Sequence, residues 1–514
     1  MKQSTLTTSD FDLVLTPASH AGPSTFTIRE DSAAPRALFQ TPAALYVSVF
    51  VAFMLPFQYG WSLSQLNLST FASQPDCDAR PVVQGTCLMF PGHSKAEWTY
   101  VVNAWIVGGM VGSLSCGSLA DRYGRRKALM GSSLFMIVGA ALQASASSLA
   151  VFTVGRAVAG ICSGFATGLS GGYVNEISPP HLRKTLSVGV QLGVAIGSLL
   201  VVCTFFFANT SSGWRYIAGF PIVYAVLFLI LASLFLVESP AWLLANGKHR
   251  EATFVMASIY GENNVELART WFEPGAASAS DVELAIEDDI KHQTPIQSPL
   301  SQVLSPTFRL QLIGAIGLAA GQQLSGISGV FYYSSSLFKD AGISDDRIGS
   351  VIINAMNLLP TLATGYLVTR FGYRKIVLFG FLGMFASGIG ITIAFLVNIA
   401  ELSIVFTGTY VGSFAVSVGP LIYAVMADLF PDSVRATAVS ICVFFNYASN
   451  LVVGVSFPYL SDALNDFSFI PFVTVVAFFY LFTFAMIPET SGKTNEEIQA
   501  EFRARREQKL QLRS

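Results

Sequence analysis

Two adjacent glutamines, Gln322 and Gln323, lie within residues 310–338, a stretch that carries no charged side chain. About twenty apolar residues cross the hydrocarbon core of a bilayer, so this stretch predicts a membrane-spanning helix. Amide side chains are costly in lipid unless another group bonds to them. Each amide offers two N–H donors and one carbonyl acceptor without carrying charge. The pair therefore predicts a binding site for a polar, uncharged solute.

The rest of the sequence argues against catalysis. No nucleophile–base set, metal-ligand cluster or phosphate-binding loop is visible, so we predict that the protein is not an enzyme and uses no metal and no cofactor. The formal net charge of −2 gives no electrostatic reason to expect a nucleic-acid partner.

The composition predicts the elements that hold the glutamines. Of 514 residues, 52% are hydrophobic and 12% are charged, about half the charge of a soluble protein. Arg156 is the one charge predicted to lie inside the membrane. We predict an all-α, multi-pass integral membrane protein with the lipid bilayer as its surroundings. Its twelve transmembrane helices are expected at the uncharged runs 37–75, 98–120, 128–155, 157–175, 185–214, 216–237, 310–338, 348–369, 376–400, 402–427, 436–461 and 467–488.

Lysines and arginines are concentrated in alternate short loops, for example at Arg125, Arg126 and Arg183. The positive-inside rule therefore places both termini in the cytoplasm. We expect a disordered N-terminal tail, a six-helix bundle, a helical cytoplasmic linker, a second six-helix bundle and a cytoplasmic C-terminal tail, at residues 1–42, 43–237, 238–308, 309–487 and 488–514.

Cys77 and Cys87 share the one long loop predicted on the outer side of the membrane. That compartment is oxidising, so we predict that the two cysteines form a disulfide. The other four cysteines lie within predicted spans, where they are expected to pack as small apolar residues.

Three motifs recur at a spacing of about 250 residues, which indicates two related halves. The matched segments are 117–126 with 365–374, 176–183 with 428–435, and 237–239 with 488–490. Two facing six-helix bundles place a substrate site at their interface, near the middle of the membrane.

Together with Gln322-Gln-Leu-Ser-Gly326 and Pro488-Glu-Thr490, these motifs resemble the sugar porters of the major facilitator superfamily, in particular the facilitative hexose transporters. The resemblance covers residues 45–500. It implies two pseudo-symmetric bundles of the major facilitator fold and uniport of a hexose by alternating access. It also implies a monosaccharide as substrate, glucose with fructose left open, and a monomer in the plasma membrane.

A sugar presents hydroxyl groups and apolar C–H faces, which amide and aromatic side chains suit. The resemblance implies a substrate-binding set of Gln191, Gln322, Gln323, Ser328, Asn354, Phe414, Tyr423, Asn446 and Asn450. It implies that Phe331, Tyr332 and Tyr447 line or gate the site. The alternative for each amide is a hydrogen bond between helices, which is common in membrane bundles.

The chain departs from the family pattern at several of these positions. Ser328 stands where the family usually has Asn, and Tyr423 and Tyr447 stand where it has Trp. Residues 415–418 read Ala-Val-Ser-Val in place of Glu-Val-Gly-Pro. The selectivity of glucose-specific members therefore does not carry over to this chain.

The resemblance also bears on coupling to protons. Proton-coupled sugar porters pair an aspartate in the first span with the arginine of the fourth, and Ser62 occupies the aspartate position here. A proton carrier needs a titratable group at membrane depth, and the span interiors hold no Asp, Glu or His. We therefore predict uniport, with Arg156 in a structural role. The alternatives are a proton-coupled sugar symporter and a sugar-sensing receptor.

Charged residues recur at the predicted inner ends of the helices. The resemblance assigns them to a salt-bridge lock that closes the cytoplasmic side, whereas the plainer interpretation is solvated charge that follows the positive-inside rule. The expected lock residues are Arg125, Arg126, Glu176, Arg183, Glu238, Arg374, Asp428, Arg435 and Glu489.

Overall fold

The structure is a computed structural model that describes residues 43–72, 77–81, 87–272, 299–340 and 345–511. All regular elements within these residues are helices, which confirms the all-α prediction. The tail predicted at 1–42 and residues 273–298 of the predicted linker lie outside the described residues.

Six long helices form the first half: α1 (Ala43–Ser64), α2 (Lys95–Tyr123), α3 (Arg125–Ser145), α4 (Leu149–Ile177), α5 (Pro180–Ala208) and α6 (Gly213–Phe235). Local chemistry sets where they begin. Ser94 and Glu97 form a capping box at the start of α2, so two backbone N–H groups that lack a partner in the helix are satisfied. Gly124 makes the sharp turn from α2 to α3 with φ of 95°, a conformation that glycine adopts at little cost.

In the described part of the second half there are eight α-helices: α7 (Arg309–Leu324), α8 (Ile327–Asp340), α9 (Asp346–Phe371), α10 (Tyr373–Leu396), α11 (Ala400–Val416), α12 (Val418–Asp428), α13 (Asp432–Leu464) and α14 (Ile470–Met486). The single spans predicted at 310–338 and 402–427 are each broken into two helices. The first break occurs at Gly326, whose φ of 87° does not continue a helix, and the second at Ser417.

Ten helices among the described residues are long and apolar enough to cross a membrane, with α11 and α12 counted together. The two other predicted spans coincide with the α7–α8 pair and with α14, which has 17 residues. Broken helices at membrane depth are found where the exposed backbone faces protein or a cavity. The number of twelve crossings stays a prediction.

The two halves pack in the same pattern, as the repeated motifs predict. In the first half α2 packs against α4, α3 against α4 and α6, and α1 against α5. In the second half α9 packs against α11, α10 against α11 and α14, and α7 against α13. The halves meet where α2 contacts α13 and where α5 contacts α9.

The helices have two distinct ends. At the disulfide end, the sulfur atoms of Cys77 and Cys87 are at bonding distance, as the sequence predicts. The arginine end carries Arg125 and Arg374, the first and second residues of α3 and α10. Short helices accompany the arginine end, at Pro240–Ala245, His249–Tyr260, Val265–Thr270, Pro299–Val303 and Asn495–Gln511.

Candidate functional site

An amide cluster lies between α7, α8 and α13. Asn446 Nδ2 donates to Gln322 Oε1 at 2.7 Å, and Gln323 Nε2 donates to Asn446 Oδ1 at 3.1 Å. Ser328 Oγ donates to Gln323 Oε1 at 2.5 Å, and the hydroxyl of Tyr423 lies 3.5 Å from Asn446 Oδ1. The two glutamines, Ser328 and Asn446 are each at most 5% exposed. The structure therefore brings five of the predicted site residues together.

Gln322 uses its hydrogen-bonding groups within the protein. Its Nε2 donates to the carbonyls of Val418 and Gly419 at 3.0 Å each, at the start of α12. An amide nitrogen has two hydrogens, so Gln322 has no N–H left for a solute. The contacts of Gln322 are therefore hydrogen bonds between helices. Gln323 differs, because only one of its two amide N–H groups has a partner within the protein.

Three other predicted amides have bonding capacity left. Gln191 on α5 is half-buried, and its amide makes no hydrogen bond within the part of the chain that the structure describes. Asn450 accepts a hydrogen bond from the Tyr332 hydroxyl at 3.1 Å, while its buried Nδ2 has no partner among the described residues. Asn354 donates to the carbonyl of Ser350 at 2.8 Å and leaves its Oδ1 without a described partner.

Sequence reasoning missed Asn357. It lies on α9 three residues beyond Asn354, is 1% exposed, and neither atom of its amide has a hydrogen-bond partner among the described residues. A buried polar group without a partner is costly, so it signals a ligand or a water. The sequence did offer a signal, a second asparagine within one helical turn of Asn354. That spacing alone does not say which of the two asparagines faces a solute.

Aromatic side chains lie beside the amides. The ring of Tyr447 reaches from α13 to the first half, where it meets Tyr59 and Trp105 edge-on at centroid distances of 6.5 and 6.4 Å. Its hydroxyl is 3.2 Å from Thr167 Oγ1 on α4. Phe331 and Phe414, two more of the predicted aromatics, are buried within the second half.

Arg156, the one charge predicted to lie inside the membrane, is 1% exposed. Its Nη1 and Nη2 donate to the carbonyls of Ser62 and Val102 at 3.0 and 3.4 Å, and its guanidinium lies 5.7 Å from the ring centre of Trp105. Two helices are thereby tied to α4 through backbone acceptors. This arrangement agrees with the predicted structural role.

The predicted lock residues at the arginine end have several different contacts. Arg125 Nε is 3.0 Å from Glu176, and Arg125 Nη1 is 2.9 Å from Asp121, all within the first half. Arg435 donates to the carbonyls of Ala427 and Phe430. Arg183 and Asp428 lie near the start of α5 and at the end of α12.

Glu238 and Glu489 bind backbone N–H groups at helix starts. Glu238 accepts from the N–H groups of Arg125 and Arg126 at 2.7 and 3.2 Å. These groups have no partner within α3, and a carboxylate there is stabilised by the helix dipole. Glu489 repeats the arrangement at the start of α10, accepting from Tyr373 N–H and Arg374 N–H at 3.0 and 3.1 Å.

Arg126 and Arg374, which occupy matching positions in the two halves, donate to carbonyls at the ends of α6 and α14. Arg126 Nη2 donates to the carbonyl of Ser233 at the end of α6, and Arg374 Nη2 to that of Phe484 at the end of α14, both at 2.6 Å. Cations near helix C-termini are favourable. The repeated motif therefore joins α3 to α6 and α10 to α14 at the arginine end.

Side chains from the two halves meet at the disulfide end. Asn67 Nδ2 donates to Ser334 Oγ at 2.8 Å. Lys95 forms an ion pair with Asp462 and donates to the Pro458 carbonyl at 3.0 Å.

Pro458 itself has no N–H to bond the Gly454 carbonyl four residues earlier. The hydroxyl of Tyr333 donates to that carbonyl at 3.2 Å. Helix α8 is thus held against α13 at a point where α13 lacks one of its own hydrogen bonds.

Comparisons with known proteins agree with this geometry. The model of the family described as "Sugar (and other) transporter" matches residues 47–502. The human solute carrier family 2, facilitated glucose transporter member 4, is 31% identical over 475 residues, which cover 89% of this chain and 90% of that protein. The probable metabolite transport protein CsbC of Bacillus subtilis is 29% identical over 413 residues, covering 79% and 86%.

Solved structures share the fold. The major facilitator proton:xylose symporter XylE bound to 6-bromo-6-deoxy-D-glucose gives a TM-score of 0.73 at 23% identity, covering 90% of this chain and 99% of that one. An inward-open structure of XylE from E. coli gives 0.68 at 23% identity, covering 89% and 99%.

Proposed function

The chain belongs to the family of sugar (and other) transporters, and we propose that it carries a hexose by facilitated diffusion. It is a multi-pass membrane protein with the major facilitator fold. The observation that carries the proposal is a set of uncharged hydrogen-bonding groups with unused capacity on α5, α7, α9 and α13, helices that belong to both halves. Gln191, one N–H of Gln323, Asn450 Nδ2 and the whole amide of Asn357 have capacity for a solute. A monosaccharide is a neutral solute with several hydroxyls, which this set matches.

The identity of the hexose depends on the departures around Gln323. Ser328 uses its hydroxyl on Gln323 and is smaller than the amide that the family usually places there. The related glucose transporters support glucose as the first candidate, and the smaller Ser328 leaves fructose as the second.

Counterflow in proteoliposomes tests the proposal. Vesicles loaded with unlabelled D-glucose or D-fructose are expected to accumulate the labelled sugar transiently, because a carrier exchanges sugar faster than net flow dissipates the gradient. Empty liposomes and L-glucose are the controls. Absence of counterflow for every hexose tried would refute the proposal.

Proton symport is the second candidate, because XylE, which shares the fold, is named as a proton:xylose symporter. Against it, Arg156 bonds two backbone carbonyls, and the side chain at the position of the missing aspartate is the neutral Ser62. We propose uniport, with Arg156 holding α1 and α2 to α4.

We also propose an orientation. The arginine end faces the cytoplasm of a plasma-membrane protein, with both termini on that side and the disulfide outside. In this arrangement residues 43–237 and 309–487 are the two bundles, and 238–308 link them. The repeated Glu238 and Glu489 contacts support the arginine end as the place where a cytoplasmic lock would close. We further propose that the protein works as a monomer, since all the residues of the proposed site come from one chain.

A further inference from the structure

One side of α4 looks toward the second half of the molecule. Thr167, Gly171 and Asn175 follow this side at i, i+4 and i+8, over about 12 Å toward the arginine end. The Thr167 hydroxyl lies 3.2 Å from that of Tyr447 on α13, so at this depth the side faces the other half. All three residues are half-exposed, and a Cβ on Gly171 would meet nothing within 4 Å. Between Thr167 and Asn175, this side of α4 therefore borders open space.

The open space lies between the halves. Helix α4 packs against α1, α2, α3 and α5 of its own half and contacts α12 and α13 of the other. Helix α5 packs against α1, α4 and α6 and contacts α9 and α12 across the interface. Where α4 meets α5, a half-exposed side chain therefore faces α12 of the second half.

Asn175 and Ser187 meet at this place. Ser187 lies on α5 four residues before Gln191, so the two share one face of the helix about 6 Å apart along its axis. The Ser187 hydroxyl is 2.5 Å from Asn175 Oδ1 and 2.6 Å from the Arg183 carbonyl. It carries one hydrogen, so these two acceptors compete for it. The amide nitrogen of Asn175 makes no hydrogen bond within the part of the chain that the structure describes.

We propose that Asn175 and Ser187 form a subsite that holds the sugar between the central site and the arginine end. The inference rests on the proposed function, since the ligand is the transported hexose. One sugar hydroxyl would accept from the Asn175 amide nitrogen, and another would donate to Asn175 Oδ1 or to the Ser187 oxygen. Gln191 lies one turn nearer the central site, and its amide has no partner among the described residues, so it would bind the same sugar from the other side.

The plainer interpretation is a hydrogen bond that only joins α4 to α5. Polar groups that hold helices together are typically buried and have their donors paired. This pair is half-exposed, and both N–H groups of Asn175 lack a partner among the described residues. Its position beside open space, one helical turn from Gln191, favours a contact with the solute.

Zero-trans kinetics of D-glucose and D-fructose, in vesicles whose carriers share one orientation, test the subsite. Sugar from the arginine end meets the pair before the central site, whereas sugar from the disulfide end meets the central site first. Loss of one neutral hydrogen bond in N175A or S187A is expected to raise the ratio of the arginine-end KM to the disulfide-end KM about two- to tenfold. An uncoupled carrier sustains no net flow at equal concentrations, so the ratio of the two Vmax values must move by the same factor.

S115A is the matched control. Ser115 is a half-buried serine in the arginine-end part of α2, beside the exposed Val111 and Leu114, and its hydroxyl donates to its own helix at Val111. The variant is expected to leave the KM ratio unchanged. An unchanged ratio in both N175A and S187A, or the same shift in S115A, would overturn the subsite. Wild-type protein that moves neither sugar would instead overturn the proposed function.

Chemical labelling gives a second readout that does not depend on transport rates. S187C is expected to react with a membrane-impermeant maleimide added at the arginine end, and D-glucose or D-fructose is expected to slow that reaction, with L-glucose as the control. Wild-type protein, with its native cysteines, sets the background. No labelling above background, or labelling that neither sugar slows, would contradict the proposal.

Discussion

Individual amides divide into those that hold helices together and those that can bind a solute. Gln322 spends both N–H groups on carbonyls of α12 and its oxygen on Asn446. Gln191 and Asn357 spend none on the described protein. The amides differ in which neighbours they contact in the folded protein, and residue type alone does not predict those neighbours.

Gln323 provides the most direct test at this scale. We expect Q323A to abolish hexose transport while surface expression is retained, because the site loses a donor, the Ser328 hydroxyl loses its acceptor on Gln323, and Asn446 Oδ1 keeps only the long contact to Tyr423. Uptake and surface biotinylation measure the two. Q311A is the matched control, since Gln311 is a buried amide on the same helix that bonds to Gln499 at the arginine end. Normal uptake by Q323A would remove this residue from the site.

Asn357 leads to a different prediction. N357A is expected to raise KM in both directions, by about two- to tenfold for one lost hydrogen bond, without lowering the melting temperature. Its removal also deletes a buried group that has no protein partner, so stability is expected to be kept or improved. A melting temperature lowered as far as that of a core truncation, with KM unchanged, would make Asn357 a structural residue.

At the scale of elements, the sequence predicted the spans better than their interruptions. Uncharged runs locate α1 to α14, because exclusion of charge from lipid is a strong constraint. The break at Gly326 was not predicted, since one glycine in an apolar run also fits an unbroken helix. The roles of Glu238 and Glu489 were predicted as ion pairing, whereas their contacts include the free N–H groups of α3 and α10. Those donors are backbone N–H groups, which a pattern of charged side chains does not reveal.

Gly124 and Gly372 test the repeated helix-start arrangement. Both have positive φ, 95° and 81°, and the carboxylates of Glu238 and Glu489 occupy the space where a Cβ would lie. G124A and G372A are each expected to lower the free energy of unfolding by roughly 1–3 kcal/mol through backbone strain alone. A lower melting temperature in detergent would report this loss. G131A is the control, because nothing lies within 4 Å of that position in α3. Equal melting temperatures for all three variants would refute the arrangement.

At the scale of the whole molecule, side chains of the two halves meet at the disulfide end, and we propose that these contacts hold one conformation of a carrier that alternates between two. Lys95 and Asp462 contribute an ion pair, supported by the Pro458 carbonyl and by the Tyr459 ring 5.5 Å away. Such contacts must be weak enough to break in each cycle, and exposed ion pairs are worth about 0–1 kcal/mol.

D462N is expected to shift the equilibrium toward opening at the disulfide end by up to about fivefold, because it removes that ion pair. Spin labels on cysteines replacing Tyr216 and Ile399, one in each half, report the opening as a longer distance between labels. D466N is the control, since Asp466 is a nearby carboxylate in the 3-10 helix Asn465–Phe467. A distance distribution unchanged from wild type in D462N would contradict this role.

The central claim is that an uncharged site between two halves moves a hexose without coupling to protons. The most direct test is the accumulation ratio of radiolabelled hexose in proteoliposomes under an imposed inward proton gradient, measured at equilibrium. Because the span interiors contain no Asp, Glu or His, the internal and external sugar concentrations are expected to become equal, with or without the gradient. Accumulation above the external concentration that disappears when a protonophore is added would contradict the claim.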